Sequence, residues 1–130
     1  MKKPVFRTSP EAAIQEAIIS FLERRGWYVK ATHGNAYTSG WPDLYCFHKK
    51  HGYRWIDVKN PKRFGYTKAQ IQQWPDMHEA GIGIWIMFAA DEENYSRLFN
   101  PPNWRDFWKP SYDKYRRSVE SILDEMEQPE

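Results

Sequence analysis

Two apolar runs, Leu44-Tyr45-Cys46-Phe47 and Tyr53-Arg54-Trp55-Ile56-Asp57-Val58, flank a short polar turn containing Lys49, Lys50, His51 and Gly52. This pairing constrains the chain more than any other stretch. Runs rich in aromatic and β-branched residues about a glycine-containing turn read as a β-hairpin. Successive side chains on a strand leave opposite faces, so Asp57 and Lys59 share one face while Ile56 and Val58 share the other. Each arm also carries a carboxylate, Asp43 or Asp57, that burial of an apolar strand does not require.

The flanking segments alternate in type. The spacing predicts a first helix over residues 10–25, with Thr8 or Ser9 as cap and Pro10 in its first turn. Ile14, Ala17, Ile18, Phe21 and Leu22 form its inward stripe, and Gly26 ends it. Glu11 lies at one end of that stripe with Gln15 one turn away; Glu16 points elsewhere. A first strand over 27–32 and a polar loop over 33–40 lead into the hairpin. Thr67 caps a second helix over 68–80, with Ile71, Trp74 and His78 inward and Pro75 kinking or dividing it. Residues 82–89, the most apolar stretch, read as a central strand buried on both faces. An aromatic, Pro-rich segment over 91–110 precedes a last helix whose seam is Tyr112, Tyr115, Val119, Ile122 and Met126. The expectation is one domain over 1–130, an α/β fold with a mixed central sheet flanked by helices and an extra C-terminal helix.

No apolar run approaches the ~18 residues of a membrane span, so no membrane association is expected. The first residues are basic but lack the apolar region of a secretory signal. The chain has 1 cysteine, Cys46, which excludes an internal disulfide and a cysteine-built metal site. A reducing, cytoplasmic setting follows as the expectation. Charge is unevenly divided: residues 1–70 hold 13 Lys/Arg against 5 Asp/Glu, and residues 71–130 hold 6 against 12. A basic first half suits a polyanionic partner.

Carboxylates converging from different elements suit a hard divalent cation, which takes oxygen ligands and needs only one or two from the protein. Asp43 and Asp57 are the candidate ligands for Mg²⁺ or Mn²⁺. The Val58 carbonyl is a further oxygen, and Glu11 joins them if the first helix packs beside the hairpin. Lys59 stands where it could position a water nucleophile or bind a phosphate.

At these residues the chain resembles the PD-(D/E)XK nuclease superfamily: Pro42-Asp43 matches its PD and Asp57-Val58-Lys59 its (D/E)-x-K. Within that superfamily it is similar to the VRR-NUC nucleases. The resemblance extends over about residues 10–88 and rests also on Glu11 with Ile14-Gln15 before Gly26-Trp27, on the Gly40-x-Pro42-Asp43-Leu44 segment, and on Thr67-x-x-Gln70. Asp57 stands where that subfamily usually has glutamate. The resemblance implies a restriction-endonuclease-like αβββαβ core and metal-dependent cleavage of DNA. It implies Glu11, Asp43, Asp57 and Lys59 as catalytic or metal-binding residues, with Gln70 supporting them. The same order is similar to archaeal-type Holliday-junction resolvases, small nucleases that act as dimers on four-way junctions. Their helix glutamate stands nearer the closing glycine, at the position of Gln15.

Branched or junction-containing DNA is the expected partner, and a homodimer would account for cutting opposite strands. Lys49, Lys50, Lys62 and Arg63 border the two ends of the hairpin and are candidate phosphate contacts. Trp41 is a candidate for stacking on a base or for packing. Two other readings are open: a DNA-binding module of the same fold without cleavage, and an acidic-tailed interaction protein whose carboxylates are structural. His33, Thr38 and Ser39 could contact a phosphate, though loop polarity alone explains them, and His48 and His51 are expected to be solvent-exposed or near backbone phosphate.

Overall fold

Ser9 sets the start of the chain's first element. Its side chain accepts from the Ala12 amide at 3.1 Å, and α1 then runs Pro10–Glu23 in the computed structural model. The structure describes residues 9–32, 39–107 and 126. Thr8, the loop residues His33 and Thr38, and most of the expected last helix lie outside the described residues; Met126 is helical and exposed. Ile18 and Leu22 are buried with Ile14, Ile19 and Phe21 packed beside them. Ala17, expected on that face, is instead exposed; Ile19 buries more apolar surface, so the stripe rotates toward it.

Four strands follow, β1 (Tyr28–Ala31), β2 (Leu44–His48), β3 (Gly52–Val58) and β4 (Ile84–Met87), in the order β1-β2-β3-β4. The hairpin is antiparallel with Leu44 opposite Ile56 and Tyr45 opposite Trp55, and β1 pairs antiparallel with β2. β4 runs parallel to β3, which requires the crossover that α2 (Lys68–Glu79) supplies. The sheet is mixed and the αβββαβ order holds.

β4 was expected at the centre of the sheet, and it lies at an edge. Its two buried faces come from cover rather than from flanking strands. Trp85 and Met87 enter the core beneath α1; Ile84 and Ile86 enter the core beneath α2. Its open ladder is closed by side chains: Asn103 Oδ1 accepts from the Ile86 amide at 2.6 Å, and Asn94 Oδ1 accepts from the Phe88 amide at 3.0 Å. These asparagines sit in or beside α3 (Glu92–Arg97) and a 3-10 turn (Trp104–Phe107). The Pro-rich segment thus blocks an edge that would otherwise template pairing with another chain.

Thr67 caps α2 in a reciprocal box. The Gln70 amide donates to Thr67 Oγ1, and the Thr67 amide to Gln70 Oε1, both at 3.1 Å. Pro75 sits inside α2 without dividing it. His78, expected inward, is exposed, although its Nδ1 accepts from Trp104 Nε1 at 3.5 Å. No described helix is long and apolar enough to cross a membrane.

Candidate active site

The segment entering β2 is pinned to α2 before it delivers Asp43. Gly40 has φ 83°, and a Cβ there would lie 2.8 Å from the backbone of Ala69, so only glycine allows this approach. The Gly40 carbonyl accepts from Trp74 Nε1 at 2.7 Å. On the other side Thr32 clips the same segment, its amide donating to the Asp43 carbonyl at 3.0 Å and its hydroxyl to the Pro42 carbonyl. Asp43 Oδ2 then accepts from the Val58 amide at 2.8 Å. That bond ties the start of β2 to the end of β3.

Asp57 lies on the face of β3 that looks toward α2, and is 1% exposed. Its Oδ1 accepts from Gln70 Nε2 at 3.3 Å, and Lys59 Nζ stands 3.0 Å from Oδ2. The latter is a close ion pair between two buried side chains. Lys59 Nζ also donates to Gln70 Oε1 at 2.9 Å and lies over the rings of Tyr66 and Trp74, 4.9 and 5.4 Å from their centroids. Gln70 is therefore fixed at both ends of its amide: the oxygen takes Lys59 and the helix cap, and the nitrogen serves Asp57.

Burial pushes the Asp57 carboxyl up to about 7, and the neighbouring Asp43 carboxylate, which hydrogen-bonds it, adds to the rise; Lys59 opposes both. A buried carboxyl held against a second, half-buried carboxylate favours taking up a positive charge, whether a proton or a cation. Hard oxygen donors of this kind fit Mg²⁺ or Mn²⁺. Asp43 and Asp57 are the residues that would hold such an ion.

Asp43, Asp57, Lys59 and Gln70 are thus brought together. Val58 contributes visibly through its amide. Glu11 stands apart: α1 packs with Ile56 and Val58 on the opposite face of the sheet, and Glu11 lines a shallow cavity of about 290 Å³ with Gln15, Ile19 and Ala31. Among the described residues no three His, Cys, Asp or Glu side chains are grouped to hold a metal ion, so Glu11 does not complete a three-ligand set. Lys62 and Arg63 are exposed in the segment after Lys59. Lys49 and Lys50 are exposed at the hairpin's other end, roughly 20 Å away at ~3.3 Å per residue. Trp41 is exposed and meets Trp55 edge-on at 5.4 Å. His48 and His51 pack on Trp27 at the hairpin turn.

Sequence reasoning missed three contributors: the Tyr66 and Trp74 rings around Lys59, and the Ala69 backbone beneath Gly40. The aromatics belong to no short motif. Gly40 carried a signal, a glycine directly before the Trp41-Pro42-Asp43 step, but its contact lies 29 positions along the sequence.

Neither the protein-family models nor the curated proteins yield a match to the sequence. The structure is similar to a solved VRR_NUC domain with a TM-score of 0.56 and 15% sequence identity, the likeness covering 71% of this chain and 97% of that one. The chain has a VRR_NUC-like fold.

Proposed function

We propose that the protein is a Mg²⁺- or Mn²⁺-dependent endodeoxyribonuclease that hydrolyses phosphodiester bonds, preferring branched DNA such as a four-way junction or flap. The observation that carries this reading is the pairing of buried Asp57 with half-buried Asp43, with Lys59 and Gln70 bonded around Asp57, at the hairpin end of a VRR_NUC-like fold. A bound divalent cation would supply Lewis-acid activation of water and neutralise charge on the phosphate. Asp43 and Asp57 would hold it, the Val58 amide keeping Asp43 in place and Gln70 keeping Asp57 in place. Lys59 presents its ammonium to the scissile phosphate or to the attacking water, its position set by the Gln70 oxygen and the two rings. Lys62 and Arg63 take flanking phosphates. A homodimer would present two such sites to opposite strands of a junction.

The test uses labelled duplex, flap and four-way-junction DNA with Mg²⁺, Mn²⁺ or EDTA. Metal-dependent cleavage lost in Asp57→Ala and Lys59→Ala, with binding kept, is the expected result. Cleavage that survives both changes refutes the assignment.

A second reading, a DNA-binding module without cleavage, is favoured by one observation. Lys59 already meets Asp57 Oδ2 at 3.0 Å, so the buried acid has a cation of its own. DNA binding with neither cleavage nor a rise in melting temperature on adding Mn²⁺ would support it.

A further inference from the structure

α2 covers only half of the sheet face that carries Asp57. It packs over β3 and β4, with Trp55, Ile84 and Ile86 beneath it. On the same face of β1 and β2 stand Tyr28, Lys30, Tyr45 and Phe47, because their neighbours Val29, Leu44 and Cys46 turn into the core beneath α1. Among the described residues none of those four enters either core cluster. Tyr28 is 61% exposed and Phe47 44%, and the register sets them opposite one another. In the adjacent row Lys30 faces Tyr45, and Tyr45 faces Trp55 with ring centroids 4.9 Å apart. Trp41, 40% exposed, stands edge-on to Trp55. Two residues beyond Trp41 in the chain, and two beyond Trp55, are Asp43 and Asp57.

So large an aromatic surface left open on a folded domain marks a binding site. Its chemistry is legible. Aromatic rings in successive rows, about 6–7 Å apart along a strand, offer faces on which consecutive bases can stack, as every base has a π face. Lys30 in the middle and Lys49 and Lys50 at the hairpin turn supply cations for a phosphate backbone. Among the described residues of these three strands and their ends, the acids on this face are Asp43 and Asp57, at the end where the reaction is placed.

We propose that the Trp41, Tyr45, Trp55, Tyr28 and Phe47 surface, with Lys30, is a stacking platform that binds the unpaired bases of single-stranded DNA and leads that strand to the Asp43–Asp57 pair. The destination of the strand rests on the nuclease reading; the platform itself does not. The substrate class it implies is DNA with a single-stranded segment beside the scissile bond, in preference to blunt duplex.

The test is fluorescence anisotropy of the full chain in EDTA with a labelled oligothymidylate, an abasic oligonucleotide of equal length, and a blunt duplex. The oligothymidylate should bind at least tenfold more tightly than the abasic strand, which carries the same charge. Phe47→Leu and Tyr28→Leu keep an apolar side chain but lose the ring, and each should weaken binding about 5- to 150-fold, the range of a single base–aromatic stack. Phe47→Tyr should restore it. Lys30→Ala should reduce the slope of log affinity against log salt by about 0.7. Equal binding of oligothymidylate and abasic strand, or unaltered binding by both leucine variants, overturns the platform. So does a concentration-dependent dimer abolished by those variants without any effect on DNA binding, which would assign the face to a second copy. Because no cleavage occurs in EDTA, a protein that passes these tests yet cuts nothing with Mn²⁺ refutes the nuclease reading alone.

Discussion

Asp57→Asn should stabilise the metal-free protein at alkaline pH, although it removes one partner of a buried ion pair. Two effects oppose each other at this side chain. Lys59 at 3.0 Å favours the carboxylate, whereas burial and the Asp43 charge disfavour it. The second set wins, and the carboxyl is held up to about 7 against a usual 3.8. Between those values the folded chain keeps a proton that the unfolded chain releases. Stability therefore falls as pH rises through this window, at up to about 1.4 kcal/mol per pH unit, and the loss is complete above the folded value. Across some three units the ceiling is about 4 kcal/mol. Rearrangement around the new amide offsets part of that ceiling, and the expected gain is about 2 kcal/mol, or roughly 6–10 °C in Tm for a chain of this size. At pH 5, about one unit into that window, part of the loss has already accrued and the variant should melt only modestly above wild type. At pH 8 the variant should melt higher. The assay is differential scanning calorimetry in EDTA at pH 5, 6, 7 and 8, followed by Mn²⁺ titration at pH 7.5, which should raise the wild-type Tm and leave the variant unmoved. A variant less stable than wild type by the same margin at pH 5 and pH 8 would show that Lys59, not Asp43 and burial, governs this site.

Gly40→Ala should cost about 2 kcal/mol or more in urea unfolding, because it combines a positive φ with a 2.8 Å approach to Ala69; it should also lower cleavage by displacing Asp43. Thr67→Ala should cost about 1 kcal/mol, as loss of an N-cap does, and loosen Gln70. Asn103→Ala strands the buried Ile86 amide and should cost about 1–3 kcal/mol in urea unfolding, with increased light scattering from the opened β4 edge. Burial pushes the Cys46 thiol up to about 12, so its reaction with a disulfide reagent at pH 8 should follow the unfolding rate; rapid labelling of the native protein would contradict that burial.

Short-range and periodic information was enough for the helices and strands of the αβββαβ core. Strand alternation placed Asp57 with Lys59 and away from Ile56 and Val58, and Thr67 marked the helix start; Gln70 as a supporting residue came from the family resemblance, and the structure sets it between Lys59 and Asp57. These succeed because a strand's period and a cap's geometry are set within a few residues of backbone. The position of β4 failed the same kind of reading. An apolar run buried on both faces looks alike in sequence whether strands or a covering segment bury it, and here Asn94 and Asn103 close its edge.

Long-range packing decided the rest. The hairpin's face toward α2, Gly40 against Ala69, and the Asp43–Val58 bond join residues far apart in the chain, and their free energy depends on which surfaces meet. Glu11 shows the limit most clearly: its place in the sequence agrees with the family pattern, yet α1 packs on the sheet face opposite Asp57. The sequence alone determined which residue types could carry metal-dependent chemistry and in what order. Only the tertiary structure determined which of them share one buried space, because proximity across elements is a property of the packed core and not of local spacing.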